Sequence, residues 1–164
     1  MSVDVKPRKI NIDQRRVKDA LSKDVVSLDC GDTIHEGLSL MVENSVSALP
    51  VVNSRGVCVG ILSATDLVSL TRDLHAGISA RQIDEFSHQW LLDQIAEHDL
   101  NRRKVEELMT DVVETVGLET PLAEAARDMV DHRVHRLPVV DQDGSLLGIL
   151  STMDVLAALV EDSN

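Results

Sequence analysis

The chain has 164 residues, 43% of them hydrophobic, but only one Trp, one Phe and no Tyr. That length suffices for one compact domain with a real core, which must be built from aliphatic side chains and Met. A formal net charge of −12 argues against a basic face for nucleic acid or anionic membrane, and no apolar run approaches the length of a membrane span.

Residues 1–16 are polar, include Pro7, and read as a tail or strap. Val17 to Leu21 reads as a short helical turn, and Val25-Val26-Ser27-Leu28 as a short strand. After a turn over Asp29 to Asp32, Thr33 is placed to cap a helix through Asn44, with Ile34, Leu38, Met41 and Val42 on one face. Leu49-Pro50-Val51-Val52-Asn53 is a buried strand, Ser54-Arg55-Gly56 a hairpin turn, and Val57 to Leu62 the return strand. Ser63 opens a helix through about Asp73.

Residues 74–104 interrupt this pattern. Gly77 breaks the segment, and Ile83 to Leu100 carries Phe86, Trp90, Leu91 and Ile95 at helical spacing. It reads either as a connecting helix inserted in the molecule or, because large rings anchor interfaces, as a partner surface.

The first pattern then returns over 105–160. Val112 to Val116 is the strand, and Pro121 falls in the first turn of a helix, where proline is tolerated. Leu122, Ala125, Ala126, Met129 and Val130 form its apolar face. Asp143-Gly144 is the hairpin turn, and Ser151 opens the closing helix. Shifted by 88, residues 17–70 align with 105–158 without a gap, and 16 of the 54 positions are identical. Leu49-Pro50-Val51-Val52 recurs as Leu137-Pro138-Val139-Val140, and Gly60-Ile61-Leu62-Ser63-x-x-Asp66 as Gly148-Ile149-Leu150-Ser151-x-x-Asp154. A repeat of this length is one supersecondary unit used twice.

Each closing helix begins Ser-x-x-Asp. On local grounds this is a variant capping box, worth roughly 1 kcal/mol, and needs no ligand. A carboxylate at a strand-to-helix junction is equally a good acceptor for the vicinal diol of a ribose. The Gly that opens the preceding apolar stretch, Gly60 or Gly148, would allow close approach at the sheet edge.

The layout, the two signatures and the lead-ins Leu21-Ser22 and Met109-Thr110 resemble the cystathionine β-synthase (CBS) domain, and two in tandem resemble a CBS pair, or Bateman module. The resemblance implies an α+β fold of two βαββα repeats, 17–73 and 105–160, related by a pseudo-two-fold axis and packed through their small sheets. It implies no catalysis, no required cofactor and no metal, but a regulatory adenosyl ligand (AMP, ADP, ATP or S-adenosylmethionine) in clefts between the copies. Carried over by position, Asp66 and Asp154 would accept from ribose hydroxyls, with Ser63 and Ser151 beside them. Ser22 and Thr110 would lie close to the nucleoside. Val25, Val26, Val113 and Glu114 would offer backbone groups to the adenine edge, and Pro50 and Pro138 would wall the base.

The copies differ just before Leu-Pro-Val. The second has His132-Arg133-Val134-His135-Arg136 where the first has Asn44-Ser45-Val46-Ser47-Ala48. The pair His135-Arg136 resembles the His-Arg dipeptide that contacts phosphate in the regulatory γ subunit of AMP-activated kinase, a role that suits the planar guanidinium fork. His132 and Arg133 read instead as a solvated helix end. So do the short basic clusters Arg15-Arg16-Lys18 and Arg102-Arg103-Lys104, which sit beside acidic residues.

Enzymatic readings find little support. Cys30 and Cys58 have no sequence-local base and no metal-type spacing, and no GxxxxGK[ST] loop is present. The expectation is a small cytoplasmic sensor with reduced thiols, acting as a homodimer or through a regulated partner protein. The alternative is a structural dimerisation module that uses no ligand.

Overall fold

The computed structural model describes residues 12–74, 102–111 and 114–161. The proposed inserted helix with Phe86 and Trp90, the first eleven residues of the tail, and Val112 and Val113 lie outside them. The chain divides into two compact units whose boundaries are not those of the repeats. One unit combines residues 1–25 with 114–164, and the other is 26–113.

In the 26–113 unit, β1 (Leu28–Asp29) lies parallel to β2 (Ala48–Val52), which pairs antiparallel with β3 (Cys58–Ser63). Helix α1 (Ile34–Glu43) is opened by Thr33, whose hydroxyl accepts from the Glu36 amide at 3.2 Å. Glu36 reaches back to accept from the Thr33 amide at 2.7 Å, a full capping box. Helix α2 (Ala64–Leu74) follows β3 directly. Leu28, Ile34, Leu38, Leu49, Val51 and Leu62 form the centre of an aliphatic core.

In the other unit, α3 (Leu122–His132) is followed by the antiparallel pair β4 (Arg136–Val140) and β5 (Leu146–Ser151), and then by α4 (Thr152–Glu161). The core is again aliphatic, centred on Leu122, Leu137, Val139 and Leu150. Gly56 and Gly144 hold φ of 76° and 81° at the two hairpin turns, which explains the Gly at each.

Three sequence expectations are corrected. The first strand is Leu28–Asp29, not Val25 to Leu28, because pairing with β2 begins only at Val51. Its counterpart, read as Val112 to Val116, shows among the described residues only a single parallel bridge from Val116 to Val139. Val42 and Val130 leave the apolar faces assigned to them, at 37% and 74% exposure. Each lies eight residues after the first buried position of its helix, roughly 80° around the axis, so it falls at the edge of the buried stripe.

The lead-ins are exchanged between repeats. The turn Val17–Asp19, which begins the first repeat, packs in the unit of the second, where Val17 is fully buried against Leu122 and Leu150. The turn Val105–Glu107, which begins the second repeat, buries Val105 in the core around Leu28 and Leu62. Each exchange is fixed by a two-bond bridge to the return strand. Ser22 and Ile149 exchange amide bonds of 3.0 and 3.1 Å, and Thr110 and Ile61 bonds of 2.9 and 3.1 Å.

Candidate functional site

The two Ser-x-x-Asp sequences fold into superimposable arrangements. The Ser63 amide and hydroxyl both donate to Asp66 Oδ2, at 2.8 and 2.6 Å, and the Asp66 amide returns a bond to Ser63 Oγ at 3.2 Å. In the second copy the Ser151 amide and hydroxyl donate to Asp154 Oδ2 at 2.7 and 2.6 Å, and the Asp154 amide donates to Ser151 Oγ at 3.2 Å. One oxygen of each carboxylate therefore carries the cap. No described residue donates to the other oxygen, Oδ1, and all four side chains are only half-buried. The same residue can cap its helix through one oxygen and keep the other as an acceptor. The capping and diol-binding readings are thus compatible.

The exchange of lead-ins decides what stands near each carboxylate. Ser22, part of the first repeat in sequence, is tied to Ile149, two residues before Ser151. Thr110 is tied to Ile61, two residues before Ser63. Ser22 therefore belongs with Asp154 and Thr110 with Asp66. The glycines explain the tightness of this approach. A Cβ on Gly148 would overlap Leu21 Cδ1 and stand 2.8 Å from the Ser22 carbonyl oxygen. A Cβ on Gly60 would stand 2.6 Å from Met109 Sδ and 2.9 Å from the Thr110 carbonyl oxygen. Sequence reasoning named the glycines but not the segments they admit. The signal was the requirement for close approach in both copies.

Pro50 and Pro138 are buried at equivalent places, opposite Ile61 and Ile149. Val25 and Val26 are half-buried and straddle one crossing between units; Glu114, exposed, begins the other, with Val113 beyond the described residues. Arg136, half-buried, is the cross-strand partner of Ser151, and antiparallel partners project from the same face of a hairpin. The His135 carbonyl accepts from the Thr152 amide at 3.0 Å, which fixes the backbone there, while its side chain is exposed. Among the described residues nothing pairs with the Arg136 guanidinium or the His135 ring.

Several other cations are engaged. Lys18 and Arg16 pair with Glu119, Arg103 pairs with Glu107, and Lys104 donates to the Gly31 carbonyl. Arg133 closes α3 in the left-handed conformation at φ 55°, and His132 lies 3.7 Å from Glu114 and 3.0 Å from the Asp128 carbonyl. Both are therefore explained by the helix end. Burial pushes the Cys58 thiol up. Desolvation, with Asp29 and Glu106 nearby, does the same for Cys30, so neither is an activated nucleophile. The described residues contain no metal-type cluster of His, Cys, Asp and Glu, and no helix long and apolar enough to cross a membrane.

Comparison with known proteins places this geometry in context. The family model described as CBS domain matches residues 17–73 and 105–161. MJ1426, an uncharacterized protein of Methanocaldococcus jannaschii, is 29% identical over 92% of this chain and 95% of its own length. The chloroplastic CBS domain-containing protein CBSX1 of Arabidopsis thaliana is 32% identical over 79% of this chain, which spans 56% of that protein. The crystal structure of CBSX2 in complex with AMP superposes with a TM-score of 0.70 at 28% identity, covering 91% of this chain and 98% of that one.

Proposed function

The chain belongs to the CBS-domain family, and from that premise we propose that it is a regulatory module binding an adenosyl ligand through Asp66 and Asp154, without catalysis of its own. The observation that carries this reading is the duplicated carboxylate whose Oδ2 is consumed by the cap while Oδ1 is left to accept. An oriented carboxylate acceptor of this kind suits a ribose diol. The binding of AMP by CBSX2, which shares the fold along most of its length, supports the choice of adenosyl compounds. AMP, ADP, ATP and S-adenosylmethionine are the candidates. Ser63, Ser151, Ser22 and Thr110 line the ribose. Backbone groups of Val25, Val26, Val113 and Glu114 meet the adenine edge, Pro50 and Pro138 wall the base, and Arg136 with His135 takes phosphate.

Regulation follows if the ligand binds two states of the module with different affinity. The output passes to a second copy or to a regulated partner. A second copy is favoured by the helical face of the α3–α4 unit. Val130, Met153 and Val160 are 74%, 69% and 67% exposed there, beside a groove of about 500 Å³ lined by Ala126, Met129, Val134 and Val155 and rimmed by Arg133, His135 and Thr152. A cytoplasmic setting completes the reading and suits the two free thiols.

A ligand-free dimerisation module is the second reading, favoured by that same apolar face and by the fact that a cap alone explains Ser-x-x-Asp. Equilibrium binding of AMP to wild type and to Asp66→Ala and Asp154→Ala separates them. Micromolar or tighter binding weakened by either change supports the sensor. Absence of binding by every adenosyl compound, with an intact dimer, supports the scaffold.

A further inference from the structure

The closing helices of the two repeats differ in what they leave outside. Helix α2 is amphipathic: Leu67 is buried, while Thr65 and Ser69 are exposed. Helix α4 is apolar on almost every side, and seven of its ten residues are Met, Val, Leu or Ala. Val155 and Ala158 lie in the core, whereas Met153, Leu156, Ala157 and Val160 form an exposed stripe. Shifted by 88, these four positions fall on Thr65, Val68, Ser69 and Arg72. The packing of the unit explains one side of α4 and leaves the other bare. A helix that is apolar all round belongs in an interior, covered on both sides.

Three observations fit a second copy of this chain to that stripe. The stripe is uncharged, so two molecules of net charge −12 can meet there without like charges facing each other. The groove beside it, lined by Met129 and Val155 among others, is apolar and suits a flexible apolar knob such as Met153 of the second copy. The ends of the stripe are opposite in charge. Exposed Arg133 and His135 rim the groove at the start of α4, where the His135 carbonyl accepts from the Thr152 amide at 3.0 Å, and α4 closes on Glu161. A two-fold axis across the stripe sets the basic end of one copy against the acidic end of the other. We infer that two chains dock through their α3–α4 faces in one closed, isologous contact, and that the α1–α2 faces, with Thr65 and Ser69 exposed, take no part. Pairing is then carried by the second repeat alone. The docking rests on the second-copy output proposed above and needs no ligand.

Sedimentation equilibrium of the full chain without ligand tests it. The expected wild-type result is a dimer that grows no further with concentration. Met153→Lys and Val160→Lys should each weaken that dimer by at least about a hundredfold, because each places like charges on both sides of an apolar contact. Both positions are exposed, so the variants should keep the circular dichroism of wild type. Thr65→Lys combined with Ser69→Lys, at equivalent places on α2, should leave the dissociation constant within about twofold, as surface changes away from a contact do. A wild-type chain that stays monomeric, its stripe then left to a different protein, would overturn the inference. So would association that continues past the dimer, a dimer indifferent to both α4 changes, or one weakened equally by the α2 changes. AMP titration of the same samples keeps the two readings apart. Binding without dimerisation sinks the docking alone, and dimerisation without binding sinks the adenosyl reading alone.

Discussion

Replacing Gly148 by Ala adds one methyl group at the point where the lead-in of the first repeat crosses the return strand of the second. That methyl would overlap Leu21 Cδ1 and meet the Ser22 carbonyl oxygen at 2.8 Å. Leu21 can swing aside, but the carbonyl is backbone and is itself held by the Ile149 amide at 3.1 Å. If the lead-in stays and the structure strains around the methyl, overpacking costs about 1–3 kcal/mol. If instead the lead-in detaches, two backbone bonds of about 0.5–1.5 kcal/mol each are lost. Val17, fully buried, would then also give up roughly 1.5–3 kcal/mol of burial. The predicted loss therefore begins near 1 kcal/mol and is bounded by about 6 kcal/mol. Gly117→Ala is the control. Its nearest neighbour to an added Cβ is Thr120 Oγ1 at 3.8 Å, and its backbone needs no positive φ. There the change should be neutral, or stabilise by about 0.4–1 kcal/mol through the unfolded chain. Urea unfolding of both variants provides the comparison. Equal stability of Gly148→Ala and wild type would refute the exchange of lead-ins as the reason for this glycine.

Other consequences are as open to measurement. Asp154→Ala should cost about 1 kcal/mol of unfolding free energy, the value of a lost cap, while AMP affinity falls by a larger factor. A stability loss of several kcal/mol with unchanged affinity would make Asp154 purely structural. Val105→Ala, which opens a cavity beside Leu28 and Leu62, should destabilise by about 1–3 kcal/mol, although position 105 is far in sequence from that core. Urea unfolding at the wild-type level would show the second lead-in to be dispensable.

Acid should also weaken the fold. The Thr33 amide and hydroxyl hold the Glu36 carboxyl below its ordinary range, and the Lys104 amide followed by Arg103 does the same for Glu107. Depressed carboxylates contribute stability that is complete above the unfolded value of about 4.3 and is lost as pH falls through the lower folded value. Stability measured from pH 5 down to 2 should therefore decline, and less steeply in Glu36→Gln; identical slopes would dismiss that cap.

The repeat was legible because it is written in identities. Leu-Pro-Val-Val and Gly-Ile-Leu-Ser-x-x-Asp each fix a buried hairpin and the helix after it, and both hairpins formed as their turn glycines indicate. Val42 and Val130 misled because an apolar residue at the margin of a helical stripe has the same spacing as one at its centre. The strand at 25–28 misled because a run of Val carries β-propensity, whereas pairing depends on which residues meet a partner, and here that begins at Leu28. The exchange of lead-ins was hidden for a different reason. Sequence repetition marks units of descent, while packing follows the contacts a segment can make. Val17 finds its neighbours more than a hundred residues away at Leu122 and Leu150. For the same reason Ser22 could be assigned to a site but not to the carboxylate it stands near.

The most direct test of the account is the melting temperature of the protein alone and with AMP, ADP, ATP and S-adenosylmethionine, repeated on the Asp66→Ala, Asp154→Ala double variant. A ligand that binds only the folded state adds about 2.7 kcal/mol of stability at a hundred times its dissociation constant. The account predicts a rise of that order with at least one adenosyl compound for wild type, and its loss in the double variant. No rise with any of them, or a rise that survives removal of both carboxylates, would contradict it.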